Sequence, residues 1–229
     1  MSYLHSQNIL HRNLKPSNIL IDELIHPKLA DLGLAKNINE NDDRNKRKDE
    51  TPILGTYIYD APEVFSNLEY SKATDVYSFA LVVYEIMTNK KPSFGSTMYQ
   101  VMTNVLNGYR PDLSQLPECY RKLIKNCWST DPKKRPTFES IVTLLKTDEN
   151  FISKSIKKDE FFDYVNNIDK LQTNFKSEQV IKVIDFNSIY TSENEANFVD
   201  LANYQKKREV SNDDYSTKYE IVDKKAGKI

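Results

Sequence analysis

The apolar positions of this chain recur at helical spacing over much of its length. Over residues 75–87 they also fill the remaining faces, which predicts a helix that is buried nearly all round. The same spacing predicts further helices at about 97–107, 118–127 and 137–146. Thr137 precedes the apolar positions of the last helix and is expected to be its N-cap.

Two short segments have strand character. Residues 19–21 (ILI) and 28–30 (KLA) are separated by a turn over 22–27, so they predict a β-hairpin. Residues 37–50 (NINENDDRNKRKDE) are almost wholly polar and lack periodicity, which predicts an exposed loop. The RNKRK run inside it is either a localisation signal or part of a solvated loop, and the acidic residues on both sides favour the loop.

The composition changes once along the chain. All nine prolines and four of the five glycines lie in residues 1–146, which predicts a folded domain there. Residues 147–229 predict a C-terminal extension that is partly helical or disordered, and it is either a partner-binding tail or inert. Within the extension, an apolar stripe predicts one helix that packs on the domain. Residues 180–190 fit either a helix or a strand. After residue 191 the charges alternate. The stripe consists of Phe161, Tyr164, Val165, Ile168 and Leu171.

Charge and cysteine content exclude several classes of function. The formal net charge is -1, so no basic field favours nucleic acid or an anionic membrane. Cys119 and Cys127 lack metal-ligand spacing, which favours two reduced thiols over a disulfide or a zinc site. The start of the chain does not have the pattern of a signal peptide, and the longest apolar run, at 79–87, is too short for a membrane span. We therefore expect a cytoplasmic protein.

Five motifs occur in a fixed order, with loop-sized gaps between them. In this order they resemble the large (C-terminal) lobe of a protein kinase, and the resemblance covers residues 1–146. It implies a mainly α fold, a helical bundle with short β-hairpins around the catalytic loop. The motifs are HRNLKPSN at 11–18, DLG at 31–33, APE at 61–63, DVYSF at 75–79, and Asp131-Pro132 followed by Arg135-Pro136.

Smaller features point to one branch of that family. Two features resemble those of serine/threonine kinases. They are Lys15, two residues after Asn13, and the Gly-Thr pair at 55–56. The Cys-Trp pair at 127–128 and the GYRP run at 108–111 resemble the tyrosine-kinase-like branch of that group.

The resemblance also implies roles for the motif residues. Phosphoryl transfer needs charge neutralised and reacting groups held in line, and hard cations take oxygen ligands. In the family pattern Asp31 binds Mg²⁺, Asn18 supplies a second metal contact, and Lys15 offsets charge on the phosphate of ATP. ATP and Mg²⁺ are thus the implied cofactors, and protein substrates or protein partners are the implied ligands.

Other motif residues have structural roles in the family pattern. His11 and Arg12 help to hold the catalytic loop, and Asp75 is expected to bond the backbone of that loop from below. Glu63 and Arg135 are expected to form a buried ion pair that fixes the end of the activation segment. These residues predict a fold and not an activity.

Asn13 stands where the family has the aspartate that accepts the proton of the substrate hydroxyl. Its amide has nearly the size of a carboxylate but no useful basicity, so we expect Asn13 only to maintain the hydrogen bonds of the loop. Milder departures are Leu32 for phenylalanine and Ala80 for glycine. Tyr57 and Asp60 replace the usual proline and methionine, which puts peptide docking in question.

The sequence also lacks the parts of a kinase that grip ATP. Only ten residues precede His11, so we expect this chain to lack the small lobe, and the five glycines do not form a G-x-G-x-x-G loop. We expect either a truncated gene product or a start codon assigned too late, and binding of ATP and Mg²⁺ by this chain is doubtful.

Two functions remain as hypotheses. The first is a catalytically impaired, pseudokinase-like lobe with a binding or regulatory role in signalling. The alternative is a piece of a working ATP-dependent serine/threonine kinase that transfers the γ-phosphate to protein hydroxyls. Thr51, which follows the polar loop, is a candidate site of regulatory phosphorylation.

Overall fold

A computed structural model describes residues 1–23, 26–38, 57–153 and 155–177 of the chain, with side chains up to residue 170. The chain divides into two compact units, Met1–Asn166 and Asn167–Ile229. The predicted domain limit at residue 146 stays a prediction. The greater part of the predicted polar loop, Thr51, the Gly-Thr pair at 55–56 and all residues after 177 lie outside the described residues.

The fold is mainly helical, as predicted, and most helix positions match the apolar pattern. The predicted helices at 97–107, 118–127 and 137–146 are found within one residue at each end. The helices are α1 (Ser2–Ser6), α2 (Pro62–Asn67), α3 (Lys72–Thr88), α4 (Met98–Leu106), α5 (Glu118–Cys127), α6 (Phe138–Thr147) and α7 (Lys158–Ser177). Short 3₁₀ turns lie at Pro16–Asn18, Tyr57–Tyr59, Pro132–Lys134 and Glu149–Phe151.

Two antiparallel strand pairs flank the loop that carries Asn13. Strand β1 (Ile9–Leu10) pairs with β4 (Lys36–Asn37), and β2 (Ile19–Ile21) pairs with β3 (Pro27–Leu29). The second pair is the predicted hairpin, with β3 beginning one residue early at Pro27. The first pair was not predicted, because two-residue strands leave no readable alternation. Together the pairs fix both ends of the loop.

Helix α3 begins three residues earlier than its apolar pattern suggests. Ser71 accepts a hydrogen bond from the Ala73 amide, while Thr74 bonds back to the Ser71 amide, so the pair caps the first turn. The prediction of burial on nearly all faces holds for most of the helix. It fails at Ile86, whose surface is 68% exposed, because the last turn of α3 reaches the protein surface.

The hydrophobic core surrounds α3. Its buried members include Tyr77 and Leu81 from α3, Val101 from α4, Ile124 from α5 and Ile141 from α6. Burial of such side chains supplies most of the stability of a domain of this size. The core therefore fixes α3 rigidly, and the first turn of α3 carries Asp75 towards the loop between β1 and β2.

The structure adds two findings on the expected class of protein. No helix in the described part of the chain has the length and apolar character needed to cross a membrane. Cys119 and Cys127 are free thiols, and burial raises the pKa of Cys127 to about 12, so this thiol stays protonated.

Candidate functional site

The loop after β1 is anchored from beneath by one buried carboxylate. The backbone amides of His11 and Arg12 donate to Asp75 Oδ2 and Oδ1, each at 2.9 Å. His5 Nε2 lies 2.8 Å from Asp75 Oδ2, and Asp75 is only 1% exposed. The contact that the sequence predicted between Asp75 and the loop backbone is present.

Arg12 has a backbone conformation that needs this support. Its φ is 64°, in the left-handed region that residues other than glycine rarely adopt. The bond to Asp75 holds the peptide in that conformation, and the Arg12 guanidinium lies 4.2 Å from the centre of the Tyr70 ring. The turn at Arg12 orients the next residue, Asn13, towards Asp31.

Asn13 joins the loop to the segment that follows β3. Its side-chain amide donates to Asp31 Oδ2 at 2.9 Å, and its backbone amide donates to His11 Nδ1 at 3.3 Å. Its carbonyl oxygen accepts a hydrogen bond of 2.8 Å from the Asn18 side chain. Asn13 thus makes the loop hydrogen bonds expected of it, and one more that the sequence did not indicate.

Asn18 and Asp31 complete a closed set of hydrogen bonds. Asn18 is buried, its side-chain nitrogen lies 3.3 Å from Asp31 Oδ2, and its carbonyl accepts the Ala30 amide at 2.9 Å. Asp31 has a φ of 58°, so it too has a left-handed backbone. The structure brings Asn13, Asn18 and Asp31 together, although Asp31 belongs to a separate motif and follows Asn18 by 13 residues.

These three side chains do not present a cation site in this arrangement. Two amide N–H groups face Asp31 Oδ2, where a bound metal would need oxygen atoms with free lone pairs. The described residues also contain no group of three or more His, Cys, Asp or Glu side chains that could hold a metal ion. Only one charged ligand, Asp31, belongs to the set.

Lys15 lies just before the 3₁₀ turn that carries Asn18, and it is half-buried. Its charge acts on Asp60, the residue immediately before the Ala-Pro-Glu motif. Burial raises the pKa of Asp60 to about 7, and the positive charge of Lys15 opposes that rise. The sequence identified Asp60 as a departure from the family pattern, but no spacing signal indicated that it lies near Lys15.

Glu63 and Arg135 form a buried pair away from the loop. The Arg135 guanidinium donates to both Glu63 oxygens, at 2.6 and 2.8 Å, and also to the carbonyl of Ala73 at 2.9 Å. Its Nε atom donates to the carbonyl of Ser129 at 2.8 Å. The predicted pair is therefore present, with additional backbone acceptors that satisfy the guanidinium.

Tyr77 belongs to the motif at 75–79, but the motif did not indicate the contacts that its ring makes. Its ring is fully buried between two guanidinium groups, with Arg110 at 5.2 Å and Arg135 at 5.1 Å from its centre. Burial raises the pKa of Tyr77 to about 12, so its hydroxyl stays neutral. The aromatic face supports the Arg135 side chain from one side.

Comparisons with known proteins agree with this geometry. A family model described as "Protein tyrosine and serine/threonine kinase" matches residues 1–145. A Dictyostelium discoideum protein described as a probable LIM domain-containing serine/threonine-protein kinase is 38% identical over 160 residues, which cover 69% of this chain and 24% of that protein.

Two further relatives come from other kingdoms. The mouse ankyrin repeat and protein kinase domain-containing protein 1 is 40% identical over 154 residues, with 62% of this chain and 20% of that protein covered. The Arabidopsis thaliana protein kinase and PP2C-like domain-containing protein is 34% identical over 177 residues, with 64% and 27% covered. The chain therefore spans less than a third of the length of these curated relatives.

Proposed function

Because this chain belongs to the protein tyrosine and serine/threonine kinase family, we propose that it is a large lobe with impaired phosphotransfer that binds or regulates other proteins. The proposed partners are proteins in a cytoplasmic signalling role. The formal net charge of -1 supports this choice, since it provides no field for nucleic acid.

The observation that carries the proposal is the side chain of Asn13. A carboxamide does not accept the proton of a substrate hydroxyl at neutral pH, and here its N–H donates to Asp31 at 2.9 Å. A general base contributes roughly 10²–10⁴-fold to the rate of such a reaction. The loop is well ordered by Asp75 and Asn18, so the lost rate comes from the missing base and not from a collapsed loop.

Mg-ATP is the phosphate donor of this family, and we propose that this chain binds it weakly. Its metal would neutralise charge on the transferred phosphate. The only charged side chain in the set is Asp31, with Asn18 beside it, and both are engaged with each other and with Asn13. Within the 229 residues no glycine-rich loop exists to cover the phosphates.

A second candidate function is a piece of an active serine/threonine kinase. Two observations favour it: Lys15, Asn18 and Asp31 are all retained, and relatives such as the Dictyostelium protein are described as serine/threonine kinases. Because the chain spans only part of those relatives, the activity of a whole protein remains part of this second proposal.

Radiolabelled phosphotransfer to a general protein substrate separates the two functions. Four proteins are compared: the chain as given and the chain with a kinase small lobe fused upstream, each with Asn13 and with Asn13→Asp. We expect no transfer from either unfused form. Among the fused forms, Asn13→Asp should be faster by about 10²–10⁴-fold, the value of a general base.

The control is Asn166→Asp, which adds the same charge at an exposed position of α7 and should leave transfer unchanged. Equal activity of the fused Asn13 and Asn13→Asp forms would refute impairment and establish the kinase function. Transfer by the unfused Asn13→Asp chain would show that the phosphates need no cover from a small lobe.

A further inference from the structure

We propose that the Asn13 amide replaces a divalent cation as the counter-group of Asp31, so that the loop and the segment after β3 stay joined without metal. Asn13 is then a positioning residue that acts through Asp31. This inference concerns stability and ion dependence, and it does not rest on whether the chain transfers phosphate.

Asp31 is surrounded by amide donors. Its Oδ2 atom accepts N–H groups from Asn13 at 2.9 Å and from Asn18 at 3.3 Å. The Asn18 nitrogen also donates to the carbonyl of Asn13 at 2.8 Å, which closes a ring of three residues. Hydrogen bonds to an ionised acceptor are stronger than those between neutral groups.

The absence of charge on the Asn13 side chain is as important for holding Asp31 as the hydrogen bond is. Asn13→Asp would place a carboxylate oxygen at the position of the amide nitrogen, 2.9 Å from Asp31 Oδ2. Two carboxylates at that separation repel each other unless a cation lies between them. An aspartate here would therefore make the loop depend on metal, whereas asparagine does not.

The backbone of Asp31 also favours a fixed partner. Its φ of 58° lies in the left-handed region, which aspartate enters more readily than most residues but which still disfavours a Cβ atom, and contacts of the side chain help to hold it. The described contacts of its Oδ2 atom are the two amides. Asn13 thus supplies both the neutral surroundings and the tether that keep Asp31 in place.

Thermal unfolding of the full chain at neutral pH tests this inference. Wild type, Asn13→Asp and Asn166→Asp are each measured in EDTA and in about 10 mM MgCl₂, with NaCl matching the ionic strength. In EDTA, Asn13→Asp should unfold roughly 5 °C below wild type, and Mg²⁺ should restore most of that loss. Wild type and Asn166→Asp should shift by less than about 1 °C with Mg²⁺.

The dependence on Mg²⁺ is itself a readout that general destabilisation would not move. A deficit of Asn13→Asp that Mg²⁺ does not reduce, or a wild type that Mg²⁺ stabilises as much as Asn13→Asp, would overturn the inference.

Asn13→Ala keeps the question answerable if Asn13→Asp does not fold. This variant removes the donor without adding charge, so Asp31 retains only the longer bond from Asn18. Asn13→Ala should unfold a few degrees, about 3 °C, below wild type in EDTA and in MgCl₂ alike, because it loses the donor without gaining a second carboxylate for a cation. An Asn13→Ala protein as stable as wild type would refute the proposed role of the amide.

Discussion

Arg135 and Glu63, 72 residues apart in the sequence, meet through two nearly parallel hydrogen bonds of 2.6 and 2.8 Å inside the first unit. The Arg135 side chain is completely shielded from solvent, and Glu63 is 10% exposed. The pair connects the start of α2 to the segment before α6. Its energetic value depends on both charges being present, because each one alone would be stranded in the interior.

Arg135→Ala should therefore lower the free energy of unfolding by about 3–5 kcal/mol, since it leaves the Glu63 carboxylate buried and unpaired. Urea unfolding followed by circular dichroism measures the change. Arg121→Ala is the matched control, because its partner Glu118 is exposed and such pairs contribute at most about 1 kcal/mol. A loss below about 1 kcal/mol for Arg135→Ala would contradict the buried pair.

Asp60 should make the protein less stable as the pH rises. Its pKa is raised from 3.8 to about 7, so the folded state retains a proton that the unfolded state releases. Stability is lost between about pH 4 and pH 7, and Asp60→Asn should remove that loss. At pH 8 the variant should be more stable than wild type by up to about 4 kcal/mol, and at pH 4 the two should be nearly equal.

Asp112→Asn is the control for that pH series. Hydrogen bonds from Ser114 lower the pKa of the exposed Asp112, so the sign is opposite and this variant should lose stability relative to wild type as the pH rises. An Asp60→Asn protein with the same stability difference at pH 4 and pH 8 would show that Asp60 is not buried.

His11 should destabilise the protein in mild acid. Burial lowers the pKa of His11, an effect that the nearby Asp75 charge, the backbone of Ala30 and the Asp31 charge oppose without cancelling. The folded state then binds this proton less readily than the unfolded state. The contribution is fully present above the ordinary histidine pKa of about 6.5 and is lost as the pH falls below it.

Urea unfolding between pH 5 and pH 7.5 measures this effect on wild type and His11→Gln. Asp60 makes the free energy of unfolding fall with pH in this window, and its contribution is subtracted first. The corrected free energy of unfolding should then rise less steeply with pH in His11→Gln than in wild type. Identical slopes for wild type and His11→Gln would contradict the prediction.

Mg-ATP should bind this chain with a dissociation constant no tighter than about 1 mM, which corresponds to about 4 kcal/mol. The reason is that the amides of Asn13 and Asn18 already occupy Asp31 Oδ2. Thermal-shift titration measures the affinity, and Asp31→Ala is the control that identifies binding elsewhere. Micromolar stabilisation that Asp31→Ala abolishes would disprove the prediction.

Much of the fold can be predicted from the sequence because amphipathic helices carry their own signal. Helix α5 lies where its apolar positions place it, and α6 begins after Thr137, whose hydroxyl accepts the Ser140 amide. Helix α3 begins before its apolar positions because the capping pair Ser71 and Thr74, and not hydrophobicity, sets where this helix starts. Two-residue strands such as β1 give no such signal.

Less of the candidate site than of the fold can be predicted from the sequence alone. The motif order correctly suggested that Asn18 and Asp31 lie together, since both belong to one recurring arrangement. It did not indicate that the Asn13 amide donates to Asp31, because residue type leaves the orientation of an amide open. The proximity of Asp60 to Lys15 depends on how distant segments pack, which no local pattern encodes.

The anchoring of the loop by Asp75 has a consequence for mutational tolerance. Its oxygens accept backbone N–H groups of His11 and Arg12, and every residue except proline supplies that donor. The backbone shape of the loop therefore depends on the residue at position 75 as well as on the residues of the loop itself. In a saturation library, positions 11 and 12 should exclude proline, and position 75 should accept aspartate almost alone. Even asparagine there would offer one oxygen to two donors.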